Sequence, residues 1–305
     1  NPVDLTKINK SFFYSAQNFR SDEMTTNKVA TDSEFLGKSL YLSAYSGYKS
    51  LAASILRSLN SNPNRLKIIN FSSEAGNTSL SIASQNNHKE VVELLLTQKG
   101  LDVNKATLHG ATPLYLSSQN GDVEITKLFL ANKSVDINQA LIDGTTPLFV
   151  ACIEGHEKIV ELLLAKKGIE VNKALSIGAT PLFMASQNGF EKIVKLLLGK
   201  DGIEVNKAMV SGATPLFVAA QNGNEGIVKK LLAAGAKARK KYLFDKSIKA
   251  HKKIKKLLQC SFVDRIKNTT GKKIKIEKKI TSKICGECGF RSKKVGKKFF
   301  KCVNK

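Results

Sequence analysis

No apolar run in the 305 residues approaches the roughly 20 that a helix needs to cross a bilayer, so a helical membrane span is not expected. The opening NPVDLTKINK lacks the apolar stretch of a secretory leader, and Asn1 in place of Met leaves room for a longer parent chain. Cysteine is sparse. The five cysteines, three of them gathered at the end (Cys285, Cys288 and Cys302), do not form a disulfide framework, and a reducing intracellular compartment, cytoplasm or nucleus, is expected. Also missing is any recurring set of nucleophile, base and orienting acid. LGKSL at 36–40 starts like a phosphate-binding loop, but the glycine required five positions before Gly37 is Asp32. A non-enzymatic protein is expected.

Acidic residues are scarce in one region only. Residues 236–305 hold 25 Lys or Arg against 4 acids, whereas the rest of the chain is close to neutral although the whole carries +24. The apolar content of 42% is that of a protein with a core to bury. A neutral body with an intensely basic tail is the first division of the chain.

The body repeats. Pro113, Pro147, Pro181 and Pro215 stand 34 apart, and so do Gly110, Gly144, Gly178 and Gly212, with Gly76 one step earlier in GNTSL. Each repeat runs from glycine through Thr-Pro-Leu to a short apolar stretch, Asn-Gly or its equivalent, and a longer apolar stretch ending in leucines. Thr180 before Pro181 predicts a helix start: the hydroxyl accepts an orphan backbone N–H, and proline has none to satisfy at the first helical position. That first helix ends near Gly189. In the second stretch Ile159, Val160, Leu163 and Leu164, broadened by Leu162, mark one face of an amphipathic helix. Two short helices have too little core to stand alone, so neighbouring repeats must stack.

The block GATPLFMASQNGFEKIVKLLLGKDGIEVNKA, residues 178–208, resembles the ankyrin repeat, and the motif recurs from Gly76, Gly110, Gly144, Gly178 and Gly212. The resemblance implies an all-α solenoid of stacked helix-turn-helix repeats with loop tips. The expected organisation is an N-terminal segment (1–36), a degenerate repeat with a polar insert (37–75), five repeats (76–240), a basic linker (241–282) and a zinc-finger-like segment (283–305). Where the family usually carries His after Thr-Pro-Leu, this chain has Tyr115, Phe149, Phe183 and Phe217, so ring packing is expected to replace the histidine's hydrogen bonds. The 34-residue period places one extra residue after the second helix, a loop change. The last repeat lacks it and is rich in lysine, as expected of a polar cap.

The resemblance also implies a monomer that binds a protein partner through its concave face and loop tips. Aligned with each other, the tips read Thr107, Leu108 and His109; Leu141, Ile142 and Asp143; Leu175, Ser176 and Ile177; Met209, Val210 and Ser211. Two readings stay open: the apolar tips pack on their neighbours, or they form a partner-binding strip. On the first helices the positions expected to face the partner are Leu116 and Gln119, Val150 and Ile153, Met184 and Gln187, and Val218 and Gln221. In Gln-Asn-Gly the glutamine suits an interface, while the asparagine is read as a helix-closing residue. His88 and His156, at the entry to the second helix, are expected to make structural hydrogen bonds, and Cys152 to fill a small-residue position.

The tail supports a second function class, a nucleic-acid-associated or nuclear regulatory protein. ARKK and HKKIKK are basic clusters that attract RNA, DNA or other polyanions, although aromatic residues are few (Tyr242, Phe244 and Phe262). A solvated linker and a nuclear-import signal are the competing readings, and a regulatory fragment of a larger enzyme is a third class. At the end, Cys285 and Cys288 have the Cys-x-x-Cys spacing of a zinc knuckle, with Cys302 as a third ligand and no fourth. This segment is similar to the front half of a MYND-type finger, which implies zinc binding in an intact parent rather than a closed site here.

Overall fold

The computed structural model describes residues 33–238 and the backbone of 252–270, the latter with side chains as far as 261. Among the described residues every regular element is helical, and the one β-bridge is an isolated pairing of Ser72 with Thr78. The described residues fall into two compact units: those up to Asn120 together with Glu124–Asp136, and Gly121–Val123 together with those from Ile137.

The first unit holds α1 (Ser33–Tyr45), α2 (Lys49–Ser58), α3 (Arg65–Ile69), α4 (Ser79–Gln85), α5 (Lys89–Leu96), α6 (Pro113–Asn120) and all but the first residue of α7 (Val123–Ala131). The polar insert ends in a short helix, α3, whose Ile68 and Ile69 are fully buried. Helix α1 packs on α2, α3 and α4, and α4 on α6. A buried bond from Thr126 Oγ1 to Ser117 Oγ (3.1 Å) ties α7 to α6.

The second unit holds α8 (Pro147–Glu154), α9 (Glu157–Leu164), α10 (Pro181–Asn188), α11 (Glu191–Leu198), α12 (Pro215–Gln221), α13 (Glu225–Ala233) and α14 (Lys252–Thr270). First helices α8, α10 and α12 stack in one row, second helices α9, α11 and α13 in another. The caps expected from Thr-Pro are present. Thr146, Thr180 and Thr214 accept hydrogen bonds from the backbone N–H groups of Phe149, Phe183 and Phe217 at 3.1, 3.1 and 3.3 Å, and each proline takes the first helical position. The apolar face expected of α9 is also present: Ile159, Val160 and Leu163 are fully buried and Leu164 nearly so. Phe149 and Phe183 are buried with Ala179 and Val218, so rings occupy the space after Thr-Pro-Leu.

Repeats are joined by asparagines spaced 34 apart. The Asn172 side chain donates to the Gly202 carbonyl (2.7 Å) and accepts from the Glu204 N–H (2.9 Å). Asn138 makes the same pair of bonds to Gly168 and Glu170, and Asn206 to Gly235 and Lys237. Within the first unit Asn70 clips Gly100 and Asp102, and Asn104 clips Ser134 and Asp136. Lys105, Lys173 and Lys207, each following its asparagine, reach back to the carbonyls of Asn70, Asn138 and Asn172. The loop after the second helix, where the extra residue of the period falls, is therefore the clip's other half.

Helix α14 lies within the stretch expected to be a linker. It packs on α13, with Ile254 and Leu258, one turn apart, 2% and 0% exposed. An apolar pair set among lysines thus covers the outer helix of the last repeat.

Replacing the amide tests the clip. Asn172→Ala removes both bonds and lowers the unfolding free energy by about 1–2 kcal/mol. The exposed Gln187→Ala, which leaves the clip intact, shifts it by less than about 0.5 kcal/mol in the same urea titration.

Candidate partner-binding surface

Each tip is a tight turn closed by its own backbone. In the third, Leu175 N–H donates to the Ala179 carbonyl (3.0 Å) and Gly178 N–H to the Leu175 carbonyl (2.8 Å); Leu141 with Thr145 and Met209 with Ala213 repeat the pattern. Successive tips then touch backbone to backbone: Val210 N–H donates to the Ile177 carbonyl at 2.9 Å in the second unit, and Leu108 N–H to the Ala75 carbonyl at 3.1 Å in the first. Gly178 is required twice over. Its φ is +82°, and a Cβ would stand 3.0 Å from Met209 Cα.

This geometry separates side chains that look equivalent in sequence. Leu108, Ile142, Ile177 and Val210 are 67%, 81%, 50% and 84% exposed. Leu141, Leu175 and Met209 are half-buried, and the last two pack against the cluster of Phe149, Ala179, Phe183 and Val218. The two readings of the oily tips thus apply to different residues: each tip turns one apolar side chain to water, and in the last three a second, Leu141, Leu175 or Met209, is half-buried. In the tip of residues 175–177 the outward residue is the third, Ile177, because Ser176 takes the second place. Asp143 is held by the tip as well; its carboxylate accepts from the Thr145 N–H (2.8 Å), and its pKa is lowered by the Thr145 hydroxyl and N–H.

On the first helices the expectation of an open face needs correction. Leu116, Val150 and Val218 are buried: in the first unit α6 packs on α4, and in the second α8 packs on α9 and α10, and α12 on α10 and α13. Ile153 and Met184 are half-buried against the same aromatic cluster. Gln119, Gln187 and Gln221 are exposed. The asparagine after each glutamine does more than close its helix. Asn120, Asn188 and Asn222 donate to the carbonyls of Gln85, Ile153 and Gln187 in the preceding repeat, at 2.6, 3.0 and 2.7 Å.

His88 Nε2 lies 2.9 Å from the Tyr45 carbonyl, a structural bond to the preceding helix pair. The His156 ring lies where a Cβ on Gly121 would be, and the Phe190 ring does the same over Gly155. Cys152 is fully buried, and burial pushes its thiol pKa up, so it serves packing. Cys285, Cys288 and Cys302 lie outside the described residues. Among the described residues no cluster of His, Cys, Asp and Glu could hold a metal ion, and no helix is long and apolar enough to cross a membrane. Sequence reasoning missed the asparagine clips, although VNKA and INQA recur in register with the proline and glycine series.

Threonine-capped helix pairs stacked at a fixed period define a helical-repeat solenoid. Family models described as "Ankyrin repeats (3 copies)" match residues 104–174 and 172–242, and one described as "Ankyrin repeat" matches 75–108. Together they span more than half of the chain, which belongs to the ankyrin-repeat family. A solved structure described as "Crystal structure of the ankyrin repeat domain of Bcl-3: a unique member of the IkappaB protein family" is similar at 24% identity, covering 66% of this chain and 87% of that one with a TM-score of 0.58. That likeness is one of fold. No curated protein matches the chain significantly.

The inward and outward tip residues separate in a stability measurement. Leu175→Ser lowers the unfolding free energy by about 1–3 kcal/mol through lost packing. Ile142→Ser changes it by less than about 0.5 kcal/mol. Equal losses in thermal or urea melts would mean that the two side chains are not differently placed.

Proposed function

We propose that the chain is a non-enzymatic scaffold or adaptor whose repeat tips hold a partner protein. Ankyrin repeats as a class mediate protein–protein interaction, and the observation that supports the tips as the surface is Ile177 beside Val210. Two large apolar side chains, 50% and 84% exposed, are joined through a backbone hydrogen bond on turns that their neighbours already anchor. A backbone fixed in this way loses little freedom on binding, which favours affinity. Ile142, Gln187 and Gln221 are exposed in the same unit, and the glutamines add hydrogen-bonding capacity to apolar contact. In the first unit, Leu108 and Gln119 have the same character. Leu116, Val150 and Val218 support this surface from the core, and Leu141, Leu175, Met209, Ile153 and Met184 anchor it. The proposed setting is intracellular, in cytoplasm, nucleus or both, with the chain acting as a monomer.

The test is affinity capture with the full chain from an extract of its own cells, wild type against Ile142→Ser/Ile177→Ser/Val210→Ser. The variant is expected to melt with the wild type and to lose its partners by tenfold or more. Undiminished capture of the same partners by the variant would reject the tips as the binding surface.

A further inference from the structure

The exposed face of α14 is a second surface, and its chemistry differs from that of the tips. Ile254 and Leu258 fix the helix against α13, which sets the direction of every other side chain on it. Lys252 and Lys256, on the far side, and Lys253, at the flank, are exposed, with Cys260 continuing the far face. Lys229 and Lys230 on α13 are engaged with Glu225 (2.7 Å) and Glu191 (2.8 Å), and the Lys253 charge also acts on Glu225. The helix sequence contains six basic residues and one acid, Asp264.

We infer that the outer face of α14 is a docking surface for the phosphate backbone of a nucleic-acid duplex. Three physical arguments select that partner. A membrane-inserted helix needs its apolar side free, but Ile254 and Leu258 are already spent on the repeat, which leaves anionic lipid only an unanchored attraction to a few lysines. A protein interface needs apolar or aromatic anchors at its centre, and the exposed positions from 252 to 260 offer lysines and one cysteine. Single strands are held largely by aromatic stacking, which those positions lack. What is left is a row of cations, with Lys252 and Lys256 one turn, about 6 Å of helix, apart. Such a row matches a polyanion whose charges are regular and whose binding is driven by counterion release. A fixed helix presents those charges without first being ordered. Contacts of this kind position without reading sequence, so binding is expected to be indifferent to base composition. The inference stands apart from the tip proposal, since α14 and the tips share no residue.

The experiment is a salt titration of full-chain binding to a labelled DNA duplex of about two helical turns, followed by anisotropy. Replacing Lys252, Lys253 and Lys256 together by Gln is expected to reduce the slope of log K against log salt by about 2 to 3, each phosphate contact contributing about 0.9. Arginine at the same three positions is expected to keep the slope and thus show that the loss is one of charge rather than of folding. Glutamine at the exposed Lys158, Lys192 and Lys195 removes as much charge elsewhere and is expected to leave the slope unchanged. The inference is overturned if the wild type ignores the duplex, if the two glutamine variants behave alike, or if anionic phosphatidylserine vesicles bind and the duplex does not.

Discussion

A single primary amide donates and accepts at once, and the stacking of this protein rests on that property. The Asn172 side chain holds the Gly202 carbonyl and the Glu204 N–H together, so the loop leaving one second helix is pinned to the corresponding loop of the repeat before it. The loop must be long enough to offer both groups, and Gly168 and Gly202, at φ of 84° and 78°, sit at its bend. The extra residue of the period is not needed for the clip, since Asn206 makes it to Gly235 and Lys237 across the shorter last loop. Three residues after each asparagine the tip begins: Asn172 leads to Leu175, and Asn206 to Met209. With the backbone held there, Leu175 and Met209 point into the aromatic cluster, and Ile177 and Val210 point to water.

How much of this was legible depends on whether the cause is local. Thr-Pro caps and the buried stripe of α9 follow from neighbours in sequence, so spacing reveals them. The burial of Leu116, Val150 and Val218 does not, because it depends in part on helices of other repeats, α4 beside α6 and α10 beside both α8 and α12. The tip residues show the limit most clearly. Leu141 and Ile142 are both apolar and adjacent, and only the turn closed between Leu141 and Thr145 decides which of them is the outward one. Helix α14 was hidden for another reason: lysine dominates its composition, and two buried side chains in a basic stretch give too weak a period to stand out.

The two surfaces proposed here would divide labour by their physics. Apolar contact at the tips is short-ranged and insensitive to salt, so it suits selection among partners. Lysines on α14 act over a Debye length, about 8 Å at physiological ionic strength, and suit capture and placement.

The separation of half-buried from outward side chain in the last three tips also bears on how such a surface could change over time. The turn at residues 175–177 is kept in shape by Leu175, by Gly178 and by its own hydrogen bonds, none of which involves the Ile177 side chain. Position 177, like 142 and 210, is thus an open letter in a fixed word. It can be rewritten by mutation, one repeat at a time, while the stack that displays it is inherited intact.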